Sequence, residues 1–416
     1  MTKTMIKIII TAFCFSTLFI THQGFSQLNQ SGSNDFDFRE SPGLAWKFKS
    51  TQSFFGSPLI NGETVYIGGV DSFLYAFNIA DGSQKWKFRT KGAIRSTVSI
   101  NADHLYLVSG DGNLYCLNKN NGKINWTFAT KGEKQYDPYD YFQSSPVINK
   151  GVIYFGSGDG NVYAVNETDG RLKWNYTTSN VVHGTVALSD DKLFVGSFDG
   201  NVYALNIADG SLAWKFKSVG QLYFPKGEMQ FSPVIANGLV YIGGRDFNLY
   251  ALDMKAGYCH WNRYFNRGWA PVITASSKND SVIYIGTSDD HTLFALNGIT
   301  GSQVWKTSMY NIFGAVATSE TMCYAGTYIG KLHGLDRKTG SILWTFSTDG
   351  YNTNHDKYVK PDDSYRDDIY SIITSNEAYI KAFYTLGAIY SSPAIGKNII
   401  VISSTDGTVY CLKKKL

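Results

Sequence analysis

The stretch FGSGDGNVYAVNETDGRLKW, residues 155–174, is the unit from which this chain is built. It returns at 195–214 and, with changes, at 67–86 and 242–261. Each copy places two short apolar, tyrosine-rich runs around an Asp-Gly type of turn, and then a glycine four residues ahead of a tryptophan. Two such runs predict a β-hairpin, because glycine tolerates the positive φ that a tight turn demands. The tryptophan marks a further strand.

The copies recur with a period near 40 residues. A period of this length that tolerates insertions is typical of propellers and solenoids. Four apolar runs fit into one unit, as at 146–148, 152–156, 162–166 and 173–177, and four strands make a propeller blade. We expect the tryptophans to dock one blade onto the next, a structural role. They stand at Trp46, Trp86, Trp126, Trp174, Trp214, Trp261, Trp305 and Trp344.

The two ends of the chain decide between a propeller and a solenoid. The last unit stops after the run 408–412 and lacks its tryptophan strand, whereas the chain opens with an orphan strand of that kind at 44–48. Pairing the two would close a ring and remove the exposed sheet edges. The sequence therefore predicts an all-β fold, an eight-bladed β-propeller of four-stranded antiparallel blades closed by the N-terminal Trp strand.

The repeat Ala164-x-Asn166-x-x-Asp169-Gly170-x-x-x-Trp174 resembles the tryptophan-docking repeat of the pyrroloquinoline-quinone (PQQ) enzyme-like β-propellers. That superfamily includes quinoprotein alcohol dehydrogenases and the β-propeller subunit of the outer-membrane protein assembly machinery. The resemblance covers essentially all of residues 42–416. It implies the fold strongly and the function weakly, since one scaffold hosts unrelated activities.

Residues 1–26 have the features of a secretory signal peptide. Lys3 and Lys7 precede an apolar run at 8–20, and small residues at 24–26 offer a cleavage site. Cys14 has no small residue ahead of it of the kind that lipoprotein processing requires. We therefore predict an exported protein, periplasmic or secreted, that is not a lipoprotein and keeps no integral membrane segment after cleavage.

The remaining chain divides into a flexible lead-in at 27–41 and the propeller at 42–416. The formal net charge of +4 includes the two lysines of the leader, so the mature chain is nearly neutral. A balance of this kind gives no electrostatic reason to expect nucleic acid as a partner. We expect a monomer.

Three links between blades are longer than the others, at 131–143, 219–230 and 348–387. Each joins a tryptophan strand to the next unit, so all three insertions should lie on the face of the Asp-Gly hairpins. The third insertion should contain a helix over 369–383 that ends at Gly387. Aromatic residues in the insertions either bind a partner or pack the loops onto the blades. The partner-binding candidates are Tyr136, Tyr139, Tyr141, Phe142, Tyr223, Phe224, Tyr351 and Tyr358.

A second candidate site lies at the mouth of the channel. The residues just ahead of the innermost strands include Arg95, His183 and Trp269, which could hold an anionic planar ligand. No metal site is predicted, because the acidic run 362–368 lacks the oxygen spacing of a calcium loop.

Two classes of function remain open. The first is a non-catalytic binding or scaffold propeller of the cell envelope, with envelope proteins, including outer-membrane assembly components, as partners. It needs no cofactor, and no catalytic residue is predicted. The alternative is a quinoprotein dehydrogenase that uses PQQ with calcium. A carbohydrate- or small-ligand-binding propeller is a third possibility.

Overall fold

The structure, a computed structural model, describes residues 36–266, 268, 273–275 and 281–415. The predicted signal peptide and Trp269 lie outside the described residues. Eight four-stranded sheets follow one another along the chain, and every strand pair in them is antiparallel. The prediction of an eight-bladed propeller is confirmed.

Blades one to four use the first half of the chain, each in the order innermost to outermost strand. Their strands are β2 (Leu59–Asn61), β3 (Thr64–Gly68), β4 (Phe73–Asn78) and β5 (Gln84–Arg89); β6 (Ser99–Asn101), β7 (His104–Val108), β8 (Asn113–Asn118) and β9 (Ile124–Ala129); β10 (Val147–Asn149), β11 (Val152–Gly156), β12 (Asn161–Asn166) and β13 (Leu172–Thr177); β14 (Ala187–Leu188), β15 (Lys192–Gly196), β16 (Asn201–Asn206) and β17 (Leu212–Lys217).

Blades five to eight complete the ring, and three helices lie between blades seven and eight. The elements are β18 (Val234–Ala236), β19 (Leu239–Gly243), β20 (Asn248–Asp253) and β21 (Cys259–Tyr264); β22 (Ile273–Ala275), β23 (Val282–Gly286), β24 (Thr292–Asn297) and β25 (Gln303–Ser308); β26 (Ala317–Thr318), β27 (Met322–Gly326), β28 (Lys331–Asp336) and β29 (Ile342–Ser347); α1 (Asp349–Tyr358), α2 (Ile369–Ile372) and α3 (Asn376–Leu386); β30 (Ala394–Gly396), β31 (Ile399–Ser403), β32 (Thr408–Lys413) and β1 (Gly43–Lys49).

The eighth blade closes the ring, as predicted from the unmatched strands at the two ends of the chain. The N-terminal strand β1 pairs with β32, with Trp46 opposite Cys411 and Phe48 opposite Val409. This pairing gives the last sheet the order β1-β32-β31-β30. The outer edge of β32 is thereby covered, as closure requires.

The core lies between neighbouring sheets. The second strand of blade three, β11, is buried along its whole length. The outermost strand β13 is exposed except at Trp174, which is buried, and Tyr176, which is half-buried. Tyr154 and Trp174 of blade three pack with Val195 of blade four. Because such a cluster recurs around the ring, each blade buries both of its faces.

Each outer-strand tryptophan docks onto the next blade. Its indole N–H donates to a backbone carbonyl there, as from Trp126 to Glu167 at 3.2 Å and from Trp174 to Ile207 at 2.9 Å. The indole of Trp126 covers Gly170, where a Cβ would lie 2.6 Å from the ring. Gly170 also has a φ of 71°, so glycine is required there twice over. The same indole-to-carbonyl bond is made by Trp46, Trp86, Trp214, Trp261, Trp305 and Trp344.

A chain of hydroxyl groups, missed by the sequence analysis, links the inner ends of the blades. A backbone N–H at the start of an innermost strand donates to a Ser or Thr oxygen of the next blade, which satisfies an edge group that no strand pairs. The bonds run from Ser57 to Thr97 (3.2 Å), Thr97 to Ser145 (2.9 Å), Ser145 to Thr185 (2.9 Å), Thr185 to Ser232 (2.8 Å) and Ser392 to Ser57 (2.9 Å).

The C-terminal end of the lead-in predicted at 27–41 packs against the ring. Phe38 is fully buried against blade seven, and its carbonyl accepts the indole N–H of Trp344 at 2.6 Å. The reason is that blade eight is assembled from both chain ends. Its docking carbonyl must therefore come from the residues ahead of β1, eight positions before Trp46.

Replacing Thr185 by valine should destabilise the ring by about 1–3 kcal/mol, because the buried N–H of Ser145 loses its acceptor while the side-chain volume stays the same. Thr185→Ser keeps the hydroxyl and serves as the matched control. Urea denaturation followed by tryptophan fluorescence gives the free energy of unfolding. Equal values for the two variants would contradict a role for the hydroxyl.

Candidate functional site: the inserted face

All three insertions lie on the face that carries the hairpins between second and third strands. An aspartate of the hairpin in the following blade accepts a backbone N–H from the start of each insertion. Lys131 donates to Asp159 at 2.9 Å, and Gly350 donates to Asp406 at 2.9 Å. We call this side of the ring the inserted face.

These hairpin aspartates form a repeated motif that the sequence analysis did not single out. Asp159 accepts the N–H of Asn161, two residues on, at 2.8 Å and the hydroxyl of Tyr163, four residues on, at 2.6 Å. One carboxylate thus fixes its own turn, the third strand and the preceding link. The Asp-x-x-x-Tyr spacing was the available signal. The same aspartate–tyrosine bond occurs at Asp71, Asp111, Asp199, Asp246 and Asp406.

The first insertion is anchored by a buried histidine between two carboxylates. His183 Nδ1 lies 2.8 Å from Asp140 Oδ2, and His183 Nε2 lies 2.5 Å from Glu133 Oε1. Burial by itself lowers the pKa of His183, but the two carboxylates outweigh it and raise the pKa to about 9. The imidazole is therefore a cation at neutral pH that holds both ends of the insertion to blade four.

A second buried cation joins the first and second insertions to blade five. Arg245 has no exposed side-chain surface; its guanidinium pairs with Asp137, and its Nε donates to Gln230 at 2.7 Å. The side-chain amide of Gln230 in turn donates to the carbonyl of Tyr139 at 2.9 Å. The guanidinium also lies 4.9 Å from the ring centre of Phe198. The two insertions are thus parts of one rigid assembly.

Aromatic residues of the first insertion extend across the channel to the far side of the ring. Tyr141 is only 3% exposed; its ring centre lies 4.7 Å from that of Tyr390 in blade eight and 5.9 Å from that of Phe313 in blade seven. It also stacks on Phe55 at 6.3 Å. Burial raises the pKa of Tyr141 to about 12, so its hydroxyl stays neutral. These contacts build one aromatic cap over the channel.

The third insertion completes this aromatic cap. Phe383 of α3 lies 4.2 Å, centre to centre, from Tyr328 of blade seven, and α3 ends at Gly387 with a φ of 77°, as predicted. The predicted helix over 369–383 is, however, two helices, because Ser375 caps the start of α3 by accepting the N–H of Ala378. The helix α1, which was not predicted, begins at the cap residue Thr348.

The structure places the eight predicted partner-binding aromatics in different environments. Tyr141 and Tyr351 are buried, and the hydroxyl of Tyr351 donates to Asp363 at 2.5 Å. Tyr223 is 77% exposed. The others are half-buried: Tyr136, Tyr139, Phe142, Phe224 and Tyr358.

The most exposed apolar side chains of the inserted face were not all singled out from the sequence. Val219 and Leu222 are 73% and 84% exposed and precede the exposed Tyr223 in the second insertion. In the third insertion, Tyr370 of α2 is 86% exposed. We call Val219, Leu222 and Tyr223 the apolar tip.

Of the three candidates at the channel mouth, the structure describes Arg95 and His183. Both ring nitrogens of His183 are already engaged by carboxylates. Arg95 lies over the ring of Phe55 at 5.7 Å, and its backbone N–H donates to Gln143 of the first insertion at 2.9 Å. The first insertion thus contacts both residues, and Trp269 lies outside the described residues.

The aromatic cap covers the channel mouth, where an anionic planar ligand was predicted to bind. The ring of Tyr141 packs directly against those of Tyr390 and Phe313. Within the described ranges, no group of three His, Cys, Asp or Glu side chains could hold a metal ion. None of the described helices is long and apolar enough to span a bilayer.

Together these features define a class: an eight-bladed propeller of tryptophan-docked repeats in which three insertions cap one face. The chain matches the family model described as outer membrane protein assembly factor BamB over residues 39–102, 89–182, 179–321 and 290–362. Since these matches span more than half of its length, the chain belongs to that family.

Solved structures share the fold at low sequence identity. BamB from Moraxella catarrhalis has a TM-score of 0.66 and 16% identity, over 90% of this chain and 100% of that chain. The quinohemoprotein alcohol dehydrogenase from Comamonas testosteroni has a TM-score of 0.68 and 12% identity, over 94% of this chain and 78% of that chain. The computationally designed Ika8 protein has a TM-score of 0.66 and 15% identity, over 90% of this chain and 100% of that chain. No curated protein matches the sequence.

The stability of the inserted face should depend on pH through His183. Its folded pKa of about 9 lies above the value near 6.5 of an unfolded histidine, so its contribution is complete below about pH 6.5 and is lost as the pH rises through about 9. The melting temperature should fall over that window.

In the variant His183→Gln, that pH dependence should disappear, and the protein should be less stable at pH 6 by about 3–5 kcal/mol, because two buried carboxylates lose their counter-ion. The exposed His104 provides the control His104→Gln. Melting curves from pH 6 to 10 with the same slope in wild type and His183→Gln would show that the histidine is not responsible.

Proposed function

We propose that this protein is a non-catalytic scaffold of the cell envelope that binds a protein of the outer-membrane assembly machinery through its inserted face. The observation that carries the proposal is the apolar tip, three highly exposed apolar side chains that lie close together in the sequence of the second insertion. Membership of a family described as an outer-membrane protein assembly factor supports the choice of partner. Exposed apolar groups of this kind are typical of protein-binding sites.

The second insertion is well suited to binding because its conformation is fixed beforehand. The backbones of Gln221 and Phe224 bond each other in both directions, at 3.1 and 3.2 Å. The hydroxyl of Ser218 donates to the carbonyl of Gly227 at 2.9 Å and closes the base of the loop. A loop that is ordered before binding loses little conformational entropy on binding, which favours affinity.

Another of the predicted aromatics, Tyr136, links the first insertion to the second. Tyr136 donates its hydroxyl to Glu228 at 3.0 Å, and its ring packs on Phe198 at 4.7 Å. Such contacts hold the second insertion against the first. We therefore assign direct contact with the partner to Tyr223 and its two apolar neighbours, and a supporting role to Tyr136.

We further propose that the protein is exported through its N-terminal leader and works as a monomer in the periplasm or beyond it. The sequence features of residues 1–26 and the family description support export. The partner then approaches from the inserted face.

The contact proposal is tested with the triple variant Val219→Ser, Leu222→Ser, Tyr223→Ser. It should reduce recovery of outer-membrane assembly components from a solubilised envelope fraction by about tenfold or more, since loss of a hot-spot cluster costs at least 2 kcal/mol or so. The melting temperature should hardly change, because the three side chains are exposed.

The matched control replaces Tyr258 and Ile299 by serine. Both are more than half exposed but belong to turns on the opposite face. Loss of the same components with the control, or their full retention with the triple variant, would refute binding through the inserted face.

The runner-up function, PQQ-dependent oxidation, gives its own prediction. Addition of PQQ with Ca²⁺ should leave both the melting temperature and the PQQ absorbance spectrum unchanged, because the aromatic cap fills the channel mouth. A ligand at 100 times its dissociation constant would stabilise the fold by about 2.7 kcal/mol and would raise the melting temperature measurably. Such a rise would favour the quinoprotein.

A further inference from the structure

The segment Phe36, Asp37, Phe38 and Arg39 docks against blade seven without belonging to any strand. We call these four residues the N-terminal latch. Their contacts are with Ser319 and Thr321 in the turn between the first two strands, with Asp336 at the end of the third strand, and with the side chains of Tyr324 and Trp344. This groove lies on the face opposite the insertions.

The backbone of the latch is held on both sides of Phe38. The hydroxyl of Tyr324 accepts the N–H of Phe38 at 2.8 Å and donates to the carbonyl of Phe36 at 2.8 Å. The indole of Trp344 donates to the carbonyl of Phe38 at 2.6 Å. Two side chains of the groove thus bond three backbone groups of the latch, the C=O of Phe36 and the N–H and C=O of Phe38, as a peptide-binding site does.

The latch side chains add specificity. Phe38 is fully buried and meets Tyr324 edge-on at 6.1 Å. The carboxylate of Asp37 accepts from the hydroxyl of Ser319 and from the backbone N–H of Thr321, the latter at 3.0 Å. Arg39 pairs with Asp336 at 3.0 Å. The groove therefore selects an aromatic residue between an acidic and a basic one.

An unusual residue of blade seven independently marks the groove. Gly334 stands opposite Trp344, where blade six has Ala295 opposite Trp305. A Cβ on Gly334 would lie 2.1 Å from the indole of Trp344, so the ring occupies the space of that Cβ. In blade seven the tryptophan thus sits closer to its own sheet while its N–H reaches the latch.

We propose that this groove is a peptide-binding site whose resident ligand is the latch, and that a free peptide of the same aromatic–acidic–aromatic–basic chemistry exchanges with it. At the other junctions the docking carbonyl belongs to a turn joined to strands on both sides. Within the described residues, the latch is joined to a strand only through residues 40–42, which lead to β1, so its release would leave the sheets intact.

The test uses the full-length variant Phe38→Ala, in which the latch loses its buried ring. We expect a lower melting temperature and amide exchange of residues 36–39 that is roughly tenfold faster or more. Addition of a synthetic peptide of residues 36–42 should restore the melting temperature of Phe38→Ala, whereas the same peptide with Phe38→Ala should not. The exposed Glu40 supplies the control variant Glu40→Ala, which should match wild type.

Two further variants keep the test decisive if Phe38→Ala does not fold. Asp37→Asn weakens the latch from its own side, and Gly334→Ala displaces Trp344 from the groove side. Peptide 36–42 should rescue the first variant but not the second. Unchanged exchange of the latch amides in both variants, or no rescue by the peptide in any variant with a weakened latch, would overturn the proposal.

Discussion

The indole N–H of a buried tryptophan needs a carbonyl acceptor, and in this ring that carbonyl always lies outside the tryptophan's own sheet. Eight such bonds, between 2.6 and 3.2 Å long, tie the sheets in sequence. In a single blade, the indole N–H would have no carbonyl acceptor and the apolar faces of the sheet would be exposed to water. The ring is therefore the smallest unit that satisfies every blade, and its closure requires β1 to pair with β32.

The inserted face follows from this ring. Once the sheets are fixed, insertions can grow only from the links at either end of the channel, and here three links on one side have grown. Buried cations at His183 and Arg245 hold the first insertion as a bridge, which turns Tyr141 inward across the channel. The second insertion is left with its apolar side chains outside. The positions of the two buried cations thus determine that the first insertion is buried support and that the apolar tip of the second insertion stays exposed.

The features that could be predicted from the sequence are those that a local pattern specifies in every repeat. Tryptophan spacing, Asp-Gly turns and the unmatched strands at the two ends were sufficient for eight blades and for their closure. The stop of α3 at Gly387 was predictable for the same reason, because a left-handed φ favours glycine. The contacts of residues 36–39 could not be predicted, because these residues carry no strand pattern and their partners lie about 280 residues or more away in the sequence.

The candidate site was harder to predict, since its contacts are not repeated. Nothing in the spacing of Glu133, Asp140 and His183 shows that one imidazole will lie between the two carboxylates. The aromatic residues of the insertions look alike in sequence, yet Tyr141 is buried and Tyr223 is exposed. Their difference arises from which insertion crosses the channel, and that depends on tertiary contacts.

The position of Phe36 on blade seven also distinguishes the two faces of the ring. Phe36 and Asp37 lie at the rim beside Tyr324 and Thr321, on the side of the ring opposite the aromatic cap. A tether, tag or fluorophore attached at this rim would lie away from the loops of the inserted face. A molecule immobilised through this rim would accordingly display Tyr223 on its free side.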